Sequence, residues 1–352
     1  MLLFFLAFLA VLLFGAKTKP RLAFDEESFS RARTSALNGF FVLLVFLSHA
    51  VTYVSPAGAL DSAYLFVKGQ LDQLVVAPFL FFSGYGILCA VRDRGRDYVL
   101  QFPRRRIAKV LMQSQAAVLL FLLADLCVGK HYPLRRVLLS LTFWESIGNS
   151  NWYLFVVLAL YVCVFAAFLI ARQRLLLGTA LTAALAVCLA VLLRFAGKDP
   201  WWYNTLLLFP LGMCFALLRP RLDCLVFQST PRTAAAFVGA LGCFSALHFL
   251  RGKGFVFYEL WAAAFLACLV LVMTRVAFGN WLLVFFGRHV FSIFMLQRIP
   301  MLVFSRFGLQ QHRYVFVLLC FFVTLLLAAA FDRVLSLLPL FRPRRDASAD
   351  SP

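Results

Sequence analysis

Long apolar runs limit what this chain can fold into more than any other feature. A helix that crosses a bilayer needs about 20 mostly apolar residues. Stretches of that kind recur at 36–54, 71–91, 110–128, 152–170, 175–193, 204–218, 233–250, 255–273, 289–304 and 314–339. A shorter one, 2–16, precedes them. It lacks a basic leading region and a clear A-x-A site, which argues against a cleaved signal peptide and leaves an extra span, an interfacial helix or an over-long gene start. Of the 352 residues, 63% are hydrophobic and only 14% charged, and mean hydropathy is +0.89. No water-soluble domain of this size can bury so much apolar surface. Strand-like alternation is weak, so helices are expected rather than a barrel. The expected fold is an all-α integral membrane protein: a ten-helix transmembrane bundle with an additional short N-terminal hydrophobic segment. The chain divides into that segment with a basic cytoplasmic linker (1–33), one transmembrane domain (34–340) and a polar tail (341–352).

The net charge of +19 follows from 34 Lys+Arg against 15 Asp+Glu. No nucleic-acid motif accompanies it, so no nucleic-acid partner is expected. Alternate loops hold 22 and 10 of the basic residues, while Arg298 and Arg333 fall inside spans. By the positive-inside rule the richer set is cytoplasmic, which puts both ends of the core inside a multi-pass cell-membrane protein. The nine cysteines form no CxxC or metal-ligand spacing, so neither a disulfide framework nor a metal site is expected.

One histidine stands out. His49 lies in the apolar run Phe40-Phe-Val-Leu-Leu-Val-Phe-Leu-Ser-His49, and ionisable groups at membrane depth are functional by default. Asn38 precedes it by eleven residues, close to three helical turns, so both share one face about 16 Å apart. Asp72 and Ser83 show the same spacing in the next span, with Pro78 between them to kink it and Gly84 and Gly86 beside the serine. The stretch 92–109 carries seven basic residues, among them Arg104, Arg105, Arg106 and Lys109. These suit either a phosphorylated cytosolic donor or anionic lipid. At the opposite span ends, Glu145, Asn151, Trp152, Tyr153 and Glu259 stand among further aromatics. Aromatics with amides and carboxylates suit a polyhydroxylated acceptor, although an interfacial belt accounts for many of the rings.

The order of segments is a His-bearing first core span, "FLFFSGYGI", "FPRRRIAKVL", "NSNWYLFVVLALY", "LLLFPLGMCFALLRPR" and "FFGRHVFSIFMLQRIP". In that order it resembles the membrane acyltransferase family 3, over roughly 34–340. The resemblance implies ten core helices and transfer of an acyl group from cytosolic acyl-CoA to a glycan hydroxyl on the far side. It places the family's essential histidine at His49, and its cytoplasmic R-x-x-R signature loosely at Arg106–Lys109 or the Arg104–Arg106 run. Two positions depart from the pattern: Asn38 stands where an arginine is common, and Gln297 where a histidine is usual.

The leading expectation is an O-acyltransferase, acetyl-CoA or another acyl-CoA serving as donor substrate and no cofactor bound permanently. An exported or lipid-linked glycan would be the acceptor and the bilayer the surroundings. His49 would be the general base, Glu145, Asp72 or Glu259 would orient it, and Ser83 would be a second candidate nucleophile. Asn38, Asn151, Trp152, Tyr153 and Glu259 would contact substrate. Two alternatives remain open at this level: a transporter or flippase for an envelope glycolipid, and a non-catalytic membrane partner. No internal repeat of the transporter kind is visible.

Overall fold

The computed structural model of the chain describes residues 1–18 and 26–341. All of the tail expected at 341–352 except its first residue, and part of the linker within 1–33, therefore lie outside the described residues. Fifteen α-helices follow one another among the described residues: α1 (Leu2–Leu13), α2 (Arg31–Ala50), α3 (Ala59–Leu71), α4 (Ala77–Phe102), α5 (Ala108–Cys127), α6 (Leu134–Leu141), α7 (Asn151–Ala171), α8 (Leu175–Phe195), α9 (Leu208–Leu222), α10 (Thr230–His248), α11 (Phe255–Arg275), α12 (Trp281–Arg288), α13 (Val290–Leu296), α14 (Arg298–Arg306) and α15 (Arg313–Leu337). Two short strands, β1 (Lys17–Thr18) and β2 (Val276–Ala277), pair antiparallel with Lys17 opposite Ala277.

Six helical stretches are long and apolar enough to cross a membrane, seven if the bent run α12–α14 is one span. The protein is thus all-α and multi-pass, but this measure does not reach the expected ten. The reasons are local. Helix α9 has only 15 residues, and the stretch Ala59–Cys127 is continuous enough to count once. The final span before the last helix bends by 64° at His289 and is interrupted again at Gln297.

Three sequence expectations change here. Asp72 does not share a helix face with Ser83. It sits at φ 43 and opens a 3-10 turn, Asp72–Val75, ahead of α4. Pro78 stands in the first turn of α4, where its missing N–H leaves no bond unmade and no kink follows. The basic stretch 92–109 is not a loop either. Arg, Lys, Gln and Leu are good helix formers, and the chain stays helical there except at Gly95, at φ 59 and ψ −141. Arg104, Arg105 and Arg106 lie in a π-turn, Pro103–Ile107, that joins α4 to α5.

Helix α2 is the centre of the bundle. Every residue from Phe40 to Leu47 is buried, so the helix is apolar all round. It is held by close backbone contact: a Cβ on Gly39 would collide with the Leu283 carbonyl of α12, and one on Gly287 with the Ser35 carbonyl of α2. Helices α4 and α9 use the same reciprocal device at Gly84 and Gly212, against the carbonyls of Phe209 and Phe81. Small residues drive helix association where lipid leaves little hydrophobic gain between helices. On the periphery Leu123, Ile170, Leu192 and Leu326 are exposed, as a lipid-facing surface requires. At one end of the bundle the Asp61 carboxylate is fully buried. It takes the Met1 ammonium at 2.5 Å, Arg313 Nε at 3.3 Å and the Ala57 N–H at 3.0 Å, which fastens α1 and α15 to α3.

Candidate active site

Because α2 is fixed along its length, its last turn holds His49 rigidly at the wall of a cleft of about 590 Å³. The opposing walls are Trp144, Glu145, Trp152, Lys198, Trp202 and Arg298. His49 Nδ1 is buried and has no hydrogen-bond partner among the described residues. The ring is therefore not consumed as interhelical glue at that nitrogen. Arg298 opens α14 just after the break at Gln297. Its Nε donates to the Tyr53 hydroxyl at 3.4 Å and its guanidinium lies 5.7 Å from that ring.

The floor of the cleft is ordered by Lys198. Its ammonium sits 4.0 Å from the centre of the Trp144 ring and 4.4 Å from that of Trp202, and it donates to the Trp144 carbonyl at 2.6 Å. Burial lowers the Lys198 pKa, while Glu145 and Asp199 pull it back up. Glu145 has Arg135 3.8 Å away. Asn151 is fully buried and points inward, donating to the carbonyls of Ser140 at 3.1 Å and Glu145 at 2.7 Å. It thus shapes the Glu145 turn from behind, and its neighbour Asn149 lines the cleft instead.

A second cavity, about 200 Å³, lies along the same seam and is lined by Asn38, Ser83, Tyr153, Tyr161 and Phe294. Ser83 Oγ and the Tyr161 hydroxyl are hydrogen-bonded at 3.1 Å, and Asn38 Oδ1 is buried without a partner. The shared Asn38–His49 face therefore serves both spaces, Asn38 the inner one and His49 the open one. Helix α7 does the same with adjacent residues: Trp152 lines the cleft and Tyr153 the cavity. Phe294 and Arg298 divide the broken span in the same way. Tyr153 and Phe294, with ring centroids 5.0 Å apart, pack together in the wall of the inner cavity.

The remaining sequence candidates lie elsewhere. Asp72 is exposed and accepts from the Tyr258 hydroxyl at 3.0 Å, and it lines neither space. Glu259 caps α9 by accepting from the Leu207 N–H at 2.7 Å, a carboxylate placed at a helix N-terminus. Its second oxygen is buried without a partner. Arg106 Nε donates to the Tyr98 hydroxyl at 3.2 Å, and Lys109 lies 5.6 Å from the Phe341 ring centre. Arg104 is exposed. Sequence reasoning did not place Lys198 in the site. It also missed a cluster at the break in the last-but-one span, where Asp332 takes His289 Nδ1 and the Ser292 hydroxyl. The signal was present for the second, since His289 and Asp332 are ionisable residues at membrane depth. No group of His, Cys, Asp and Glu among the described residues is arranged to hold a metal ion.

In this cleft Trp144 and Trp202 meet edge to face, with ring centroids 6.2 Å apart and planes at 62°, and His49 and Arg298 share the lining. The profile of the acyltransferase domain matches residues 35–333. The chain belongs to this acyltransferase family. Neither a curated protein nor a solved structure matches it. The acyltransferase domain spans α2 through most of α15, so every residue lining the two spaces falls within it. Membership in this family implies an acyl donor and an acceptor substrate.

Proposed function

We propose that the acyltransferase moves an acyl group, acetyl in its simplest form, from cytosolic acyl-CoA to a hydroxyl of an exported or lipid-linked glycan, with His49 as general base. The observation that carries this reading is the unpaired His49 nitrogen in the wall of a cleft lined by tryptophans. Indole faces stack on sugar rings, and an imidazole can take a hydroxyl proton near neutral pH.

In the proposed step the acceptor hydroxyl gives its proton to His49 as its oxygen attacks the thioester carbonyl. Arg298 faces the negative charge that develops on the carbonyl oxygen. Collapse breaks the C–S bond, and the leaving CoA thiolate recovers the proton from the imidazolium. Two carboxylates, Glu145 and Asp199, share the cleft with His49, and Glu145, the one of the three sequence candidates among them, is assigned to favour the charged ring. The cavity between Asn38, Ser83 and Tyr161 suits the acyl arm on its way to the cleft. We count ten passes by taking α2, α4, α5, α7, α8, α9, α10, α11, the bent α12–α14 and α15 once each. Core termini then face the cytosol, in a cell membrane, as the basic-residue asymmetry requires.

The test uses purified protein in proteoliposomes with radiolabelled acetyl-CoA and envelope glycan. Release of CoA with label on the glycan, lost in His49→Ala at normal expression, is the expected result. Movement of acceptor across the bilayer without CoA release would make the protein a transporter. Full transfer by His49→Ala would return His49 to a packing role.

A further inference from the structure

A third space lies at the opposite end of α7 from His49. It holds about 760 Å³, within the usual range for a small-molecule site, and is lined by Arg96, Arg172, Arg174 and Gln173 with an apolar wall that includes Val99 and Phe168. No carboxylate lines it, and none of the three guanidiniums holds an ion pair among the described residues. Some arginines elsewhere do have a carboxylate partner, as Arg219 has Asp223 at 3.7 Å and Arg313 has Asp61 at 3.3 Å. Three unmatched arginines around one concave surface repel one another until an anion arrives.

The backbone shows that this cleft is built and not incidental. Its two sides are the only break in α4, at Gly95, and the turn between α7 and α8. That turn is closed by the Arg174 N–H donating to the Ala171 carbonyl at 3.1 Å. Arg172 stands in it at φ 55 and ψ −113, the first central position of a type II′ turn, which normally falls to glycine. An arginine is thus held in a backbone conformation that disfavours a side chain, and strain of this kind collects at ligand sites.

We propose that this cleft binds the nucleotide end of the donor, an adenosine 3′-phosphate 5′-diphosphate, with Arg96, Arg172 and Arg174 on the phosphates and the apolar wall against the adenine. Guanidinium groups pair with phosphate bidentately and stack on flat rings, so the lining suits both parts of the ligand. The assignment differs from the Arg104–Arg106 run favoured by the sequence, of which Arg106 is already bonded to Tyr98. The distance is also suitable. Phe168 in this cleft and Tyr153 in the inner cavity lie on the same helix, fifteen residues and about 22 Å apart. A pantetheine arm has that gap to bridge.

The proposal rests on acyl-CoA being the donor, and the test separates the two claims. Binding of radiolabelled acetyl-CoA and of 3′-dephospho-acetyl-CoA is measured on the whole protein in phosphatidylcholine nanodiscs, so no acceptor is needed. Wild type should prefer acetyl-CoA, and Arg96→Gln with Arg174→Gln should weaken acetyl-CoA binding about tenfold or more and erase the preference. Arg104→Gln with Arg105→Gln removes the same charge nearby and should change neither. Arg96, Arg104 and Arg174 are exposed and Arg105 is half-buried, and unfolding temperatures serve to confirm intact folds. Unchanged acetyl-CoA binding by the Arg96/Arg174 variant overturns the proposal while the donor reading stands. No binding of either thioester by wild type overturns the donor reading itself. Label displaced by phosphatidylglycerol but not by adenosine 3′,5′-bisphosphate would make the cleft a lipid headgroup site and overturn the proposal.

Discussion

Replacing Lys198 by methionine isolates what holds the acceptor side of the cleft together. Methionine keeps the length and apolar body of the side chain but removes its charge. The ammonium lies 4.0 and 4.4 Å from two tryptophan ring centres and donates at 2.6 Å to the Trp144 carbonyl. At a partly exposed site each cation–π contact contributes roughly 0.5–1 kcal/mol. A charge-assisted hydrogen bond contributes about 1.5–3 kcal/mol, and the contacts of methionine with the same rings give back roughly 1 kcal/mol. The net loss is about 2–3 kcal/mol, concentrated on the relative placement of Trp144 and Trp202. If these rings form the platform for the acceptor, Lys198→Met should raise the acceptor KM about thirty- to 150-fold, because 1.4 kcal/mol is tenfold. The donor KM should not move, since the arginine cleft lies at the other end of α7. Lys198→Arg should restore much of the effect, because a guanidinium also stacks on indole. The assay is steady-state transfer in proteoliposomes, with acceptor and donor varied separately. An unchanged acceptor KM in Lys198→Met, with the unfolding temperature also unchanged, would refute the platform. Equal rises in both KM values would refute its separation from the donor end.

Other expectations are as direct. His49→Gln, which keeps the hydrogen-bonding shape without the basicity, should lower kcat about 10²–10⁴-fold with donor binding intact, as measured by single-turnover transfer. Asn38→Arg should fill the cavity of about 200 Å³ and bring in a charge with no carboxylate lining to meet it, so transfer should fall although it restores the residue common at this position. Gly212→Ala would drive a methyl into the Phe81 carbonyl and should destabilise the protein by about 1–3 kcal/mol, read as a lower unfolding temperature in detergent. Arg172→Gly should do the opposite, raising that temperature through relief of the positive φ by roughly 1 kcal/mol, while weakening acetyl-CoA binding.

What could be read from the sequence was whatever depends on one helix at a time. The apolar runs place an all-α chain in a membrane because backbone polar groups must bond within each segment there. The Asn38–His49 stripe follows from the period of a single helix, and both residues do line spaces in the bundle. The family was legible because motif order survives in the linear chain. Tertiary structure decided the rest, for reasons of packing and distance along the chain. Asp72 left its expected face because the chain turns at φ 43 before α4 begins, and periodicity extends only through unbroken helix. Asn151 and Asn149 look alike in sequence, yet only the fold sends one inward to the Glu145 carbonyl and the other to the cleft. Lys198 meets the Trp144 carbonyl across 54 positions, and Arg96 shares a cleft with Arg172 from a still greater distance along the chain. Such pairings carry no local pattern; they exist only once the close glycine contacts of α2 with α12 and α4 with α9 have fixed which helices are neighbours.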